Sequence, residues 1–215
     1  IETALKNTND SIVKQHLIEL YALYIIKGHH FKLDLNTISD GLLNKDTCES
    51  TSYIFFKAAA LEKRSFSNDI MKKLGEVASS KEYDDKARDN CLWAMAYSIK
   101  ETNDKTTISA HVIDTLGVLL TDTEPSVKKT AAIAICYYAN DPNTGISTKI
   151  SEGLAELLNE TDYDLLSNIL SVYLRLSKQE KEIPHTAVEK LTPLLYREEY
   201  EIRENAIWTL KYIVD

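Results

Sequence analysis

Glycine and proline are scarce, with six and four copies in 215 residues. A many-stranded sandwich or barrel needs turn residues every ~8–12 positions, so that class is excluded. Cysteine is scarce too. Cys48, Cys91 and Cys136 are odd in number and widely spaced, which gives neither a disulfide framework nor a CxxC metal pair. Buried free thiols in a reducing, cytoplasmic setting are expected instead. No apolar run approaches the ~18 residues of a membrane-spanning helix. Basic runs are also missing: the longest are the pairs Lys63-Arg64, Lys72-Lys73 and Lys128-Lys129. The net charge is −8, from 25 basic and 33 acidic residues, and positions 120–165 hold eight acids against three lysines. Proteins that bind nucleic acid concentrate cations against phosphates, so neither nucleic acid nor an anionic membrane is an expected partner. Ile1-Glu2-Thr3 does not open a signal peptide, and a chain lacking an initiator Met is expected to be part of a longer one.

Short catalytic motifs are absent as well. The histidines are His16, His29, His30, His111 and His185, and none is followed by Glu. No HExxH, GxSxG, phosphate-binding loop or GxGxxG occurs. His29-His30 with Asp34 could touch a metal, but adjacent imidazoles without a further placed ligand read as a solvated loop. No metal, cofactor or catalytic role is therefore expected.

What the sequence does contain is a repeat. Residues 116–135 read LGVLLTDTEPSVKKTAAIAI, 154–173 read LAELLNETDYDLLSNILSVY, and 191–210 read LTPLLYREEYEIRENAIWTL. In each, an apolar pair closes one helix and a second amphipathic helix opens seven residues later. Extending the register gives six second-helix starts near Ile12, Cys48, Ala87, Val127, Leu165 and Ile202, separated by 36, 39, 40, 38 and 37 residues. Offsets 0, 4, 8 and 11 from these starts fall within ~80° of helix surface, the width of a core-facing stripe. Pro125 suits a first helical turn. Asp84-Asp85, Asp122 and Asp162 suit the positive helix starts, and Asp141-Pro142-Asn143-Thr144-Gly145 reads as a turn. Pro193 falls inside a helical run, where a kink is expected.

Leu191-Thr192-Pro193-Leu194-Leu195 followed by Ile202-Arg203-Glu204-Asn205-Ala206 resembles the HEAT and armadillo repeat families, as does Leu119-Leu120-Thr121-Asp122 followed by Val127-Lys128. Ala87-Arg88 matches in part, whereas Val13, Glu49 and Leu166 stand where the motif has a basic residue. The resemblance implies an all-α, right-handed α-solenoid of about six helix pairs over residues 1–215 as a single domain. Each pair has two apolar faces, and stacking buries both. It also implies a scaffold that binds a protein or peptide on a concave face lined by second helices. The alternative is a HEAT-like lyase or hydrolase with its active site in the groove. A di-iron hydroxylase of this fold would need His-Glu pairs, which are lacking.

Offsets 3, 6 and 10 lie roughly opposite the core stripe. They place Asn90, Trp93 and Tyr97 in the third unit, Tyr137 in the fourth, Asn168 and Arg175 in the fifth, and Asn205, Trp208 and Tyr212 in the sixth. Asn-x-x-Trp-x-x-x-Tyr thus occurs twice. Trp, Tyr and Arg dominate binding hot spots, and an Asn amide can both donate to and accept from a peptide backbone. Two roles fit these residues: partner-binding side chains in an exposed groove, or aromatic packing between neighbouring repeats.

Overall fold

The computed structural model describes residues 1–8, 10–29 and 33–214, with Glu2 described by its backbone alone. Among these residues the regular structure is helical throughout, without strands. The helices are α1 (Glu2–Asn7), α2 (Ser11–Ile26), α3 (Cys48–Glu62), α4 (Asn68–Ser79), α5 (Asp85–Glu101), α6 (Ala110–Leu119), α7 (Pro125–Ala139), α8 (Thr148–Glu156), α9 (Tyr163–Lys178), α10 (His185–Leu194) and α11 (Tyr200–Val214). Short 3-10 turns cover Leu35–Leu42, Lys105–Thr107 and Leu157–Asn159. No described helix is long and apolar enough to cross a membrane.

The helix starts are written in short polar side chains. Asp10 accepts from the backbone N–H groups of Ile12 and Val13, Asp84 from Lys86, Ser147 from Ile150, and Asp162 from Leu165. Each satisfies donors that a helix start otherwise leaves orphaned. Pro125 occupies the first turn of α7, where its missing N–H costs nothing. Pro193 does not bend a continuing helix. Instead α10 ends one residue later, and Leu195 N–H donates to Thr192 in a tightened last turn. The proline ring cannot donate to residue 189 and crowds its carbonyl, so the helix stops.

The chain divides into two compact units, Ile1–Asp104 with Ile108–Thr115, and Lys105–Thr107 with Leu116–Asp215. In the first unit α2 lies beside α3, α3 beside α5, and α4 packs on α5. Ile54, Phe55, Leu74, Leu92, Met95 and Ile99 fill the space between them and are fully buried. Phe66 meets Phe55 edge-on at 5.3 Å. In the second unit α7, α9 and α11 stand side by side, and α10 packs on α8 and α11. Leu154, Leu166, Ile169, Tyr173, Leu191 and Ile202 form that core. Gly117 and Gly153 let α6 and α8 approach closely: a Cβ at Gly117 would stand 2.8 Å from Ile150, and one at Gly153 would stand 2.7 Å from Leu120.

Side-chain bonds recur at the period of the repeat. Lys73 pairs with Asp40, Lys86 with Glu49, Lys129 with Asp162 and Lys190 with Glu156. The basic residue after the second-helix start has a visible task. Arg88 is 2% exposed and donates from Nε to the Ala78 carbonyl at the end of α4. Arg203 donates to the carbonyls of Arg197 and Glu198 in the turn before α11. A guanidinium there satisfies carbonyls that a helix end or turn leaves open.

The inward stripe falls on Cys48, Ala87, Val127, Leu165 and Ile202 in the later units, all of them buried. It fails in the first. Ile12, Leu20 and Leu23 are 65%, 50% and 54% exposed, and α2 buries Ile18, Tyr21, Ala22 and Ile25 instead. With Ile, Val, Leu or Tyr on every side of α2, periodicity does not select a face.

Candidate functional site: an aromatic ridge on the second helices

The Asn-x-x-Trp-x-x-x-Tyr element appears in nearly the same geometry in both units. Trp93 and Tyr97 on α5 lie with centroids 5.6 Å apart at 31°, and Trp208 and Tyr212 on α11 lie 6.1 Å apart at 30°. Residues four apart share a helix face, so each pair forms one continuous aromatic surface. Trp208 and Tyr212 are each 40% exposed, while Trp93 and Tyr97 are half-buried. Neither indole is enclosed.

In the first unit the surface extends onto α3. Phe56 meets Tyr97 at 6.2 Å and Tyr53 at 6.4 Å, and the Lys57 ammonium sits over Phe56 and Tyr53 at 4.8 and 5.3 Å. The repeat register did not reveal Tyr53 and Lys57, and it assigned Phe56 to the core. The fully buried phenylalanine is its neighbour Phe55. The available signal was the run Tyr53-Ile54-Phe55-Phe56-Lys57, whose rings cannot all face inward on one helix.

The asparagines divide. Asn90 is buried, 8% exposed, and its amide donates to the Ser52 hydroxyl, joining α5 to α3. Asn168 is half-buried and donates to the Asp164 carbonyl one turn back on α9. Asn205 is half-buried on α11, one turn before Trp208. Tyr137 is half-buried near the end of α7. Arg175 on α9 gives one hydrogen bond from Nη1 to Gln179, and its Nε and Nη2 have no acceptor. Burial disfavours its charged form and lowers its pKa, with Asp141 opposing the shift.

Cations gather around the second-unit pair. Lys178 on α9 sits over the Tyr212 ring at 5.6 Å, and Lys211 sits over Trp208 at 4.8 Å. Beside them Tyr200, Arg203, Glu204, Ile207 and Trp208 line a shallow hollow of about 230 Å³.

Elsewhere the ionisable groups look structural. All three cysteines are free and buried, and burial pushes the Cys48 thiol up to about 11. His29 stacks on Tyr24 at 4.1 Å, and Asp34 caps the following 3-10 turn through Asn36 N–H. His30 lies outside the described residues. Among the described residues no group of three or more His, Cys, Asp or Glu could hold a metal ion.

Solved structures share this architecture. Computationally designed armadillo repeat proteins for modular peptide recognition match with a TM-score of 0.66 at 17% identity, covering 97% of this chain and 96% of theirs. A designed armadillo repeat protein in complex with the peptide (KR)4 gives 0.58 at 17% identity, covering 97% and 96%. An archaeal HEAT-like repeats protein from Thermococcus onnurineus NA1 gives 0.57 at 12% identity, covering 98% and 84%. No family model and no curated protein matches the sequence. The fold is therefore that of the armadillo and HEAT helical-repeat solenoids.

Proposed function

We propose that this chain is a repeat-array scaffold that binds a protein or peptide segment along its second helices, the concave face in arrays of this type, rather than an enzyme. One observation carries the reading: the Trp–Tyr pair occurs on a second helix of each unit with the same internal geometry and is partly open to solvent. Amphipathic aromatics supply large contact area at little entropic cost. The hollows near the starts of α7 and α9, at the end of α9 and on α11 hold about 210 to 230 Å³ each, below the ~300–1,000 Å³ usual for small-molecule sites. A reducing, cytoplasmic setting belongs to the same proposal and is supported by the three free, buried thiols.

Single alanine substitutions test the reading. Trp208→Ala should lower affinity for a captured partner by about 2 kcal/mol or more. Its unfolding free energy should fall by less than the ~3–5 kcal/mol of a buried aromatic, because the ring is 40% exposed. Trp93→Ala, half-buried, should cost more stability than Trp208→Ala. A full core-type loss at Trp208 with unchanged binding would show that the ring is packing and nothing else.

A further inference from the structure

Basic side chains gather around the α11 aromatic pair of this acidic chain. Several bases elsewhere are paired: Lys73, Lys86, Lys129, Lys190, Arg64 and Arg197 each meet a carboxylate within 4.0 Å. Arg175, Lys178 and Lys211 form no ion pair among the described residues, although acids outnumber bases 33 to 25. All three lie in the last turns of α9 and α11, whereas Asp164 and Glu201 lie in the first turns. Glu201 is already engaged by the Tyr163 and Ser167 hydroxyls. Glu204 lines the α11 hollow with Trp208, on its N-terminal side, and Asp141 acts on Arg175.

The two rings are also already supplied with cations, Lys178 over Tyr212 and Lys211 over Trp208. A ring face attracts a cation through its quadrupole, and with one already at each ring a basic side chain arriving here meets like charge. An arriving carboxylate meets the two exposed ammonium groups of Lys178 and Lys211, with the buried Arg175 guanidinium behind them on α9. Resting on the binding role proposed above, we infer that the segment recognised at α9–α11 is an acidic peptide carrying apolar side chains. Its carboxylates lie against Lys178 and Lys211, and an apolar side chain lies on the solvent-exposed parts of Trp208 and Tyr212. The preference is opposite in sign to the (KR)4 peptide bound by the designed armadillo protein, and the chain's net charge of −8 gives no hint of it.

Fluorescence anisotropy of the whole chain at low salt, with three short peptides alternating leucine with glutamate, serine or lysine, provides the test. The glutamate peptide should bind about tenfold more tightly than the serine peptide, and the advantage should shrink as salt rises through the screening range. The double variant K178E/K211E changes two exposed side chains. With its thermal midpoint checked, it should lose that advantage and favour the lysine peptide. Equal affinity for the glutamate and serine peptides would overturn this inference and leave the aromatic reading standing. Tighter binding of the lysine peptide to the native chain would also overturn it. Binding of none of the three would remove both. A single-stranded oligouridine, also anionic, should bind more weakly than the glutamate peptide, and tighter binding would point to nucleic acid and overturn the peptide assignment.

Discussion

Lys63 closes α3 in the left-handed region, with φ 54, and its N–H donates to the Ala58 carbonyl. The conformation completes the helix end, but a side chain with a Cβ holds it at a cost of ~1–2 kcal/mol. Lys63→Gly should therefore stabilise the chain by about 1 kcal/mol, read as a higher urea midpoint at unchanged slope. Asp162 works at a helix start. It accepts from Leu165 N–H and pairs with Lys129, and the hydrogen bond from Lys129, followed by that from Leu165, lowers its pKa below the ordinary carboxylate value. The folded chain then keeps the charge at pH values where the unfolded chain takes up a proton. Its contribution is complete above about pH 4 and fades as pH falls through the folded value. Both side chains of the pair are more than a third exposed, so solvent screening holds the ionic part below about 1 kcal/mol. Asp162→Asn keeps a capping oxygen and loses the charge. It should cost stability near pH 7 and progressively less toward pH 3, measured by denaturant unfolding at each pH. The asparagines of the ridge show where reading by residue type stops. Asn90, Asn168 and Asn205 share one offset in the repeat, yet Asn90 is closed off beneath α3 while Asn205 is half-open. How near the adjacent second helix comes decides this, and a single helix's periodicity carries no such distance.

At the scale of elements, the repeat was legible because the second helices from α3 onward share an inward stripe and four of the six, α2, α5, α7 and α9, open after a capping Asp or at a proline. From Cys48 onward the starts fall at or within two residues of those expected. The stripe mattered more than the motif: α3 and α9 lack the basic residue after the start and still stack as second helices. Reading failed where composition removed the contrast between faces, on α2, and where the aromatic side of α3 fell at other offsets, on Tyr53 and Phe56. Close approach of helices was not legible either. Gly153 sits in mid-α8, where alanine alone would favour the helix by ~0.5–1 kcal/mol. The absent side chain makes room for Leu120, whose Cδ1 and Cβ would stand 2.7 and 3.3 Å from an added Cβ. Overpacking of this kind costs ~1–3 kcal/mol. Gly153→Ala should therefore lower the thermal midpoint despite its better helix propensity. A rise would show that Leu120 moves aside freely.

At the scale of the molecule, the thiols divide between the units: Cys48 and Cys91 in the first, Cys136 in the second. Burial shields each and raises its pKa, so a thiol-reactive disulfide reagent should label the native chain slowly and the unfolded chain at once. Labelling thus reports opening in each unit separately. Stability in repeat folds is a sum of local and nearest-neighbour terms. Phe55→Ala, which empties a fully buried site in the first unit, should therefore speed labelling of Cys48 and Cys91 more than that of Cys136, as resolved by mass spectrometry. Equal acceleration at all three would mean that both units open together. The bonds that join successive repeats also set the order in which the chain can assemble. Asn90 to Ser52 spans 38 residues, Lys190 to Glu156 spans 34, and Asn68 to Ser109 spans 41. None of these bonds waits for the two ends of the chain to meet. The loop each must close is about one repeat long, and loop-closure entropy grows only slowly from there. Contact order is correspondingly low, which places folding among the faster classes. A helix pair emerging during synthesis needs only the pair before it to begin burying its apolar face.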